Sequence, residues 1–426
     1  MPLTIHLDDP LPLYSGSELI RGTVILECPN AIDIDDIRVI FSGRAKAKIQ
    51  KVKGSAAPSA SYTSKCDLFE KERILLHLGG GTLLPQTYEW GFQFEFPSTV
   101  SPPASCWPEK LPFRSDANHP LPPTFATKTQ DSLRRLDCSI DYQIRAQVSK
   151  PQRGVFGKSP FFDEQVRLPF VSAVARLDGR CDSVSPAYRH EEERLFTVRS
   201  LLLLPENRGR GLTFQERFQS WIFPGQLPKF DFQATFSYST RVAQSAPLHC
   251  VLSITPLMEY SSVSVTPEIL LQSLSISVIS RTYARATSSF MGAMSGEVDE
   301  RIEILSKSSV GMALSSQTNL GQAFGPLVFK KSDVSFSTFN ICRSYRLCVS
   351  FLLECAGKTM EFSLPDLPIE LYDGTPGNSE KSQKGHPGIS RQVAGEASPT
   401  SGEVGDAPPS YTPASTFSVG SREKRT

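Results

Sequence analysis

The chain has 426 residues, 39% of them hydrophobic, and a net charge of +1 from 45 basic and 44 acidic side chains. That length suits two domains plus extra segments, and so even a charge balance excludes a global pull toward nucleic acid or membrane. The opening residues Met1 to Tyr14 include Asp8 and Asp9 and lack a basic start followed by an apolar run, so they do not read as a signal peptide. The longest apolar run, Leu201 to Leu204, is closed by Pro205 and is far too short to span a bilayer. No asparagine opens an Asn-X-Ser/Thr sequon, and the 9 cysteines follow no regular framework. Cys342, Cys348 and Cys355 are neighbours without CxxC spacing. Reduced thiols and a cytoplasmic location are the expectation.

In chain order, period-2 alternation dominates, the mark of half-buried strands. Ile37, Val39, Phe41, Gly43, Ala45, Ala47 and Ile49 share one face. Arg38, Ile40, Ser42, Arg44, Lys46 and Lys48 share the other. Lys53 to Thr63, rich in Ser and Ala, reads as a loop. So does Ser98 to Pro123, because proline cannot donate to a sheet ladder. Between them Phe92, Phe94 and Phe96 alternate with Gln93 and Glu95, and later Ile140, Tyr142, Ile144, Ala146 and Val148 alternate with polar residues. Arg176 to Arg194 reads as a linker ending in the charge run Glu191-Glu192-Glu193-Arg194. Thr213 to Ile222 reads as a short helix.

The pattern then repeats. Phe230, Phe232, Ala234 and Phe236 form one set, Leu274, Ile276 and Val278 another. Tyr345, Leu347, Val349, Phe351 and Leu353 follow, and Met360, Phe362 and Leu364 close the series. Many short strands separated by Gly, Pro, Ser and Asn predict antiparallel sandwiches. From about Gly374 onward Gly, Pro, Ser, Thr and charged residues take over. Such a segment cannot bury enough apolar surface to offset its ordering entropy, so disorder is expected.

Within that tail Pro408-Pro409-Ser410-Tyr411 is the sharpest motif. A WW domain packs prolines in the polyproline II conformation on an aromatic groove and seats the tyrosine in a neighbouring pocket. Proline pre-sets φ, so little entropy is lost on docking. The bland alternative is a chance match in a Pro-rich tail. Ser185-Pro186-Ala187-Tyr188 lacks the first proline and is a weaker candidate. Arg44, Lys46 and Lys48 form a basic stripe about 7 Å apart along one strand face. It suits acidic cargo, phosphates or anionic lipid, or it is simply a solvated outer face. Lys381 and Lys384, in the tail, are candidate ubiquitin acceptors.

Catalytic motifs find little support. Leu78-Gly79-Gly80-Gly81-Thr82 lacks the Lys-Ser/Thr of a phosphate-binding loop, and no Gly-X-Ser-X-Gly elbow occurs. The 6 histidines form no HExxH and no local Cys/His quartet. No metal or cofactor is expected, and the chain reads as non-catalytic.

The stretch Leu13-Tyr14-Ser15-Gly16-Ser17-Glu18-Leu19-Ile20-Arg21-Gly22-Thr23-Val24 resembles the start of arrestin-fold proteins. Phe41-Ser42-Gly43-Arg44-Ala45-Lys46 resembles the next strand of the fungal-type α-arrestins. Phe92 to Pro97, Leu121 to Phe125 and Ile140 to Ala146 keep the same order, and Ser344 to Leu371 resembles the last strands of an arrestin C-domain. The resemblance implies an all-β fold of two tandem immunoglobulin-like antiparallel β-sandwiches and a disordered C-terminal tail. The expected boundaries are 1–175 and 195–373 for the sandwiches, 176–194 for the linker and 374–426 for the tail.

The resemblance also implies a partner. Proteins of the α-arrestin group use PPxY motifs to recruit HECT-type ubiquitin ligases through WW domains. Pro408, Pro409 and Tyr411 would make that contact, and the sandwiches would hold a membrane transporter or receptor as cargo. The protein would be cytoplasmic and recruited to plasma membrane or endosomes, with peripheral association to an anionic membrane surface and no nucleic acid. Two alternatives stay open: an arrestin-fold trafficking or signalling scaffold, retromer-like or in pH signalling, acting without ubiquitylation; and an enzyme on a β-sandwich whose site is assembled from distant residues.

Overall fold

The alternating segments form strands along most of the chain. The computed structural model describes residues 3–52, 61–101, 109–116, 118–151, 160–172, 188–207, 210–289, 292–329 and 333–373. In the first half these include β1 (Leu3–Leu7), β2 (Leu19–Cys28), β3 (Ile32–Lys51), β4 (Ser61–Leu83), β5 (Gln86–Glu95), β6 (Phe125–Gln130), β7 (Arg134–Ser149) and β8 (Pro160–Arg167). β1, β2 and β5 make one antiparallel sheet. β4, β3 and β7 run side by side in a second, with β6 and β8 dividing the far edge of β7 between them.

β3 shows how the pattern becomes structure. Ile37, Val39, Phe41, Ala45, Ala47 and Ile49 are buried, as their spacing predicts. Phe41 meets Phe96 edge-on at 4.9 Å, and Phe96 stacks on Phe170 at 4.6 Å between ring centroids. Each such ring, fully buried, contributes about 2–3 kcal/mol of transfer free energy. Gly43 makes this packing fit, because a Cβ there would lie 2.6 Å from the Tyr142 ring. The Leu78–Gly81 stretch is an irregularity in the β3–β4 ladder: Asp36 pairs with His77 and Ile34 with Gly81, while Gly79 and Gly80 take positive φ.

The second half supplies β9 (Arg189–Arg199), the helix α1 (Phe214–Ile222), β10 (Lys229–Ser239), β11 (Arg241–Ala243), β12 (Cys250–Pro256), β13 (Ile269–Ser289) and β14 (Gly292–Lys307). β15 (Met312–Ala313), β16 (Gln317–Asn319), the helix α2 (Leu320–Phe324), β17 (Phe336–Ser337), β18 (Ile341–Cys355) and β19 (Lys358–Tyr372) complete it. One sheet runs β16-β12-β10-β9, the other β11-β19-β18-β13-β14. Phe236 on β10 and Phe351 on β18 meet at 5.6 Å, and Phe362 on β19 closes against Phe196 on β9 at 6.1 Å. The fold is therefore all-β, built of antiparallel strand pairs apart from the short β11, which runs parallel to β19. Expected disorder in 374–426 falls outside the described residues.

Three expectations need correction. Residues 176–194 do not all serve as linker: Arg189–Arg199 form β9, and Glu192, Glu193 and Arg194 pair with Phe236, Thr235 and Ala234 of β10. Their charges sit on an edge strand, where they discourage pairing with another chain. The loop placed at Lys53 to Thr63 ends sooner, because β4 begins at Ser61; residues 53–60 lie outside the described residues. Long strands also blur the division between the halves. β13 has 21 residues, more than one sandwich of ordinary thickness needs. Its Ala284 and Ala286, with Phe339 and Ile341, belong to the core of the first sandwich.

Candidate functional site

The basic stripe on β3 is the first candidate. Arg44 donates to Asp67 at 2.7 Å and Glu70 at 3.2 Å, both on β4, so its charge is already answered. Lys46 and Lys48 remain exposed. Across the ladder Lys46 faces Lys65 of β4, and Lys48 faces Thr63 of β4 and Asp137 of β7. Among the described residues none of these three lysines has an ion-pair partner within 4 Å. Thus the stripe loses Arg44 and gains Lys65. Two lysines directly opposite repel one another, and an anionic group seated between them would relieve that. Sequence reading missed Lys65 because only the strand register brings it beside Lys46.

The second candidate is the seam between the sandwiches. Residues 109–116 and 118–122 run through it. Ser337 donates to the Pro112 carbonyl at 2.7 Å, and the Arg114 amide to the Thr338 carbonyl at 3.2 Å. His119 is buried, its Nδ1 2.9 Å from the Asp116 carbonyl and its Nε2 3.0 Å from Thr338 Oγ1. A carbonyl can only accept, so Nδ1 carries the proton and Nε2 accepts from the threonine hydroxyl. Burial, opposed by the Asp116 carbonyl, lowers the His119 pKa and keeps the ring neutral. Asn340 donates to Ser64 Oγ at 3.0 Å and to the Ala45 carbonyl at 3.2 Å, and Ser64 donates to the Arg285 carbonyl at 2.9 Å. Arg285 lies over the Phe113 ring at 4.7 Å.

Arg343 is the largest fully buried side chain, at 1% exposure. It donates to Thr282 Oγ1 and, at 3.1 Å, to Tyr345 Oη; its Nη2 lies 3.6 Å from Asp333 Oδ2. Tyr345 in turn donates to the Asp333 carbonyl at 2.8 Å, and burial pushes its phenol up to about 12. Beside these groups lies a cavity of about 280 Å³, lined by Arg114, Arg241, Arg343, Cys342 and Glu370 among others. Arg241 pairs with Glu370 at 3.2 Å. The cavity falls at the lower limit of ordinary small-molecule sites. Burial pushes the Cys342 thiol up to about 11, so it stays protonated near neutrality and is a poor nucleophile. The bonds of this seam hold the two sandwiches in register.

The tail candidates Pro408, Pro409 and Tyr411, and Lys381 and Lys384, lie outside the described residues. Of the weaker motif only Tyr188 is described. Its hydroxyl accepts from Arg241 at 3.2 Å and its ring lies under that guanidinium at 5.0 Å, so it is packed rather than presented.

Residues 3–166 match the family model described as Arrestin (or S-antigen), N-terminal domain. That span runs from the start of β1 to within one residue of the end of β8. The first sandwich is thus similar to an arrestin N-terminal domain. No curated protein matches the chain.

Proposed function

We propose that this arrestin-like protein is a non-catalytic adaptor that brings a WW-domain HECT-type ubiquitin ligase to membrane transporters or receptors and so promotes their ubiquitin-dependent endocytosis. One observation carries the reading: Pro408-Pro409-Ser410-Tyr411 follows an arrestin-like domain in the same chain. Tethering raises the ligase's effective concentration at the cargo. Pro408, Pro409 and Tyr411 make the ligase contact, in the manner of the fungal-type α-arrestins. Lys46 and Lys48, with Lys65, offer a surface for acidic cargo or an anionic membrane, and Lys381 and Lys384 are candidate acceptors of ubiquitin. The protein acts from the cytoplasm and is recruited to plasma membrane or endosomes.

A peptide spanning Glu403 to Phe417, titrated against a panel of WW domains, tests this. Micromolar binding that vanishes with Tyr411→Ala is the expected result. Absence of binding across the panel would reduce the motif to a chance match and leave an arrestin-fold scaffold acting without ubiquitylation.

A further inference from the structure

The cavity at the seam holds more positive charge than its neighbouring acids answer. Arg241 of β11, Arg343 of β18 and Arg114 of the 109–116 segment all line it. Arg241 is half-buried and meets Glu370 of β19 at 3.2 Å. Its guanidinium also lies between two rings, 5.0 Å from Tyr188 and 5.2 Å from Tyr372. Stacking and charge together fix its place on the wall.

Arg343 is less well answered. It faces Asp333 with 3.6 Å between Nη2 and Oδ2, too long for a hydrogen bond. Among the described residues the buried Nη2 has no hydrogen-bond acceptor. A buried donor left without an acceptor is costly, and an acceptor brought into the cavity would relieve that cost. Arg114 is exposed, and among the described residues it has no ion-pair partner within 4 Å.

The rest of the wall is largely apolar. Leu121 and Pro122 contribute from the first sandwich, Val334, Phe336 and Leu371 from the second. A few aimed polar groups among apolar walls are the ordinary build of a small-molecule pocket. Size and charge then narrow the ligand. At about 30 Å³ for each small polar molecule of liquid water, the cavity of about 280 Å³ has room for about nine non-hydrogen atoms. Three guanidinium groups against Glu370 and Asp333 leave a surplus of one positive charge. A phosphomonoester carries about −1.5 to −2 and would crowd those two acids. A carboxylate carries a single negative charge and presents two acceptor oxygens to a guanidinium fork.

We propose that this cavity binds a small organic monocarboxylate, its charged end facing Arg343 and Arg114 and its apolar body against Leu121, Phe336 and Leu371. Arg114 belongs to the first sandwich and Arg343 to the second, so the ligand bridges the two and stabilises the seam. The site needs neither the Pro408–Tyr411 motif nor a ligase.

Benzoate has the required size and charge and is the probe. Ligand-observed NMR with the full chain, at matched ionic strength, should give a dissociation constant of about 1 mM. At about 20 mM benzoate the melting temperature should rise by about 2 °C. Benzamide, the neutral isostere, should bind about tenfold more weakly or worse, and phenyl phosphate no tighter than benzoate. Arg343→Ala opens the seam itself, so Arg114→Gln is the informative variant. It should weaken benzoate about tenfold while leaving the melting temperature of the free protein unchanged. Arg217→Gln, which removes an exposed charge from α1, should leave benzoate binding as it is. Absence of binding at about 20 mM, equal binding of benzamide, or undiminished binding to Arg114→Gln overturns the proposal. Tighter binding of phenyl phosphate overturns it as well and assigns the cavity to a phosphomonoester.

Discussion

The seam between the sandwiches and the α1 tip invert the usual placement of residues in opposite senses. At the seam Arg285, Asn340, Arg343 and His119 are buried. At the tip Phe214, Phe218 and Trp221 are exposed. The difference teaches that partners, not residue type, decide what a buried polar group costs. Arg343 is tolerated inside because Thr282, Tyr345 and Asp333 surround it. Among the described residues, none buries the aromatics outside.

The largest effect should come from breaking the seam. Arg343→Ala strands Tyr345, Thr282 and Asp333 and opens a hole among them, and should cost about 3 kcal/mol by chemical denaturation. A loss within the noise of the measurement would mean that the seam is not what ties the sandwiches together.

A smaller effect follows from His119. A free histidine titrates near about 6.5, and burial holds His119 below that value, with the Asp116 carbonyl opposing and Arg114 assisting. The unfolded chain therefore takes up the proton at higher pH than the folded one. The stability tied to the neutral ring is fully present above about 6.5 and is lost as pH falls from there through the folded value. Burial lowers the His249 pKa as well, so the comparison needed is wild type against His119→Gln. The variant's denaturant midpoint should fall less between about pH 7.5 and about pH 5. Parallel curves for the two proteins would sink the assignment.

The smallest effect should be at the tip. Thr213→Ala removes the cap and should cost α1 about 1 kcal/mol locally. Amide exchange across 216–222 should quicken, with the global midpoint nearly unmoved. A fall in the global midpoint would show that the helix is part of the core.

Particular residues show how far the sequence could be read. The alternation over Ile37 to Ile49 placed the buried apolar side chains of that stretch correctly, because a strand's period of two is a local property, although Ser42, read on the polar face, is buried as well. The helix at α1 was legible for the same reason, through its 3.6-residue spacing. The charge run at Glu191 to Arg194 was misplaced in a linker, since an edge strand on one solvated side need not look apolar. The stripe on β3 was half right: Arg44 proved to be engaged by Asp67 and Glu70, and Lys65 joined in its place.

By itself, then, the sequence determined the all-β class, the inward faces of the strands, the short helix and the Pro408–Tyr411 motif, all of which depend on neighbours in the chain. Only the tertiary structure decided that Lys65 faces Lys46, that His119 meets Thr338, that Asn340 bridges to Ser64, and that α1 shows its aromatic side to solvent. Those facts depend on register and on docking between residues up to 295 positions apart, and no local pattern of side chains encodes which distant surface a segment will meet.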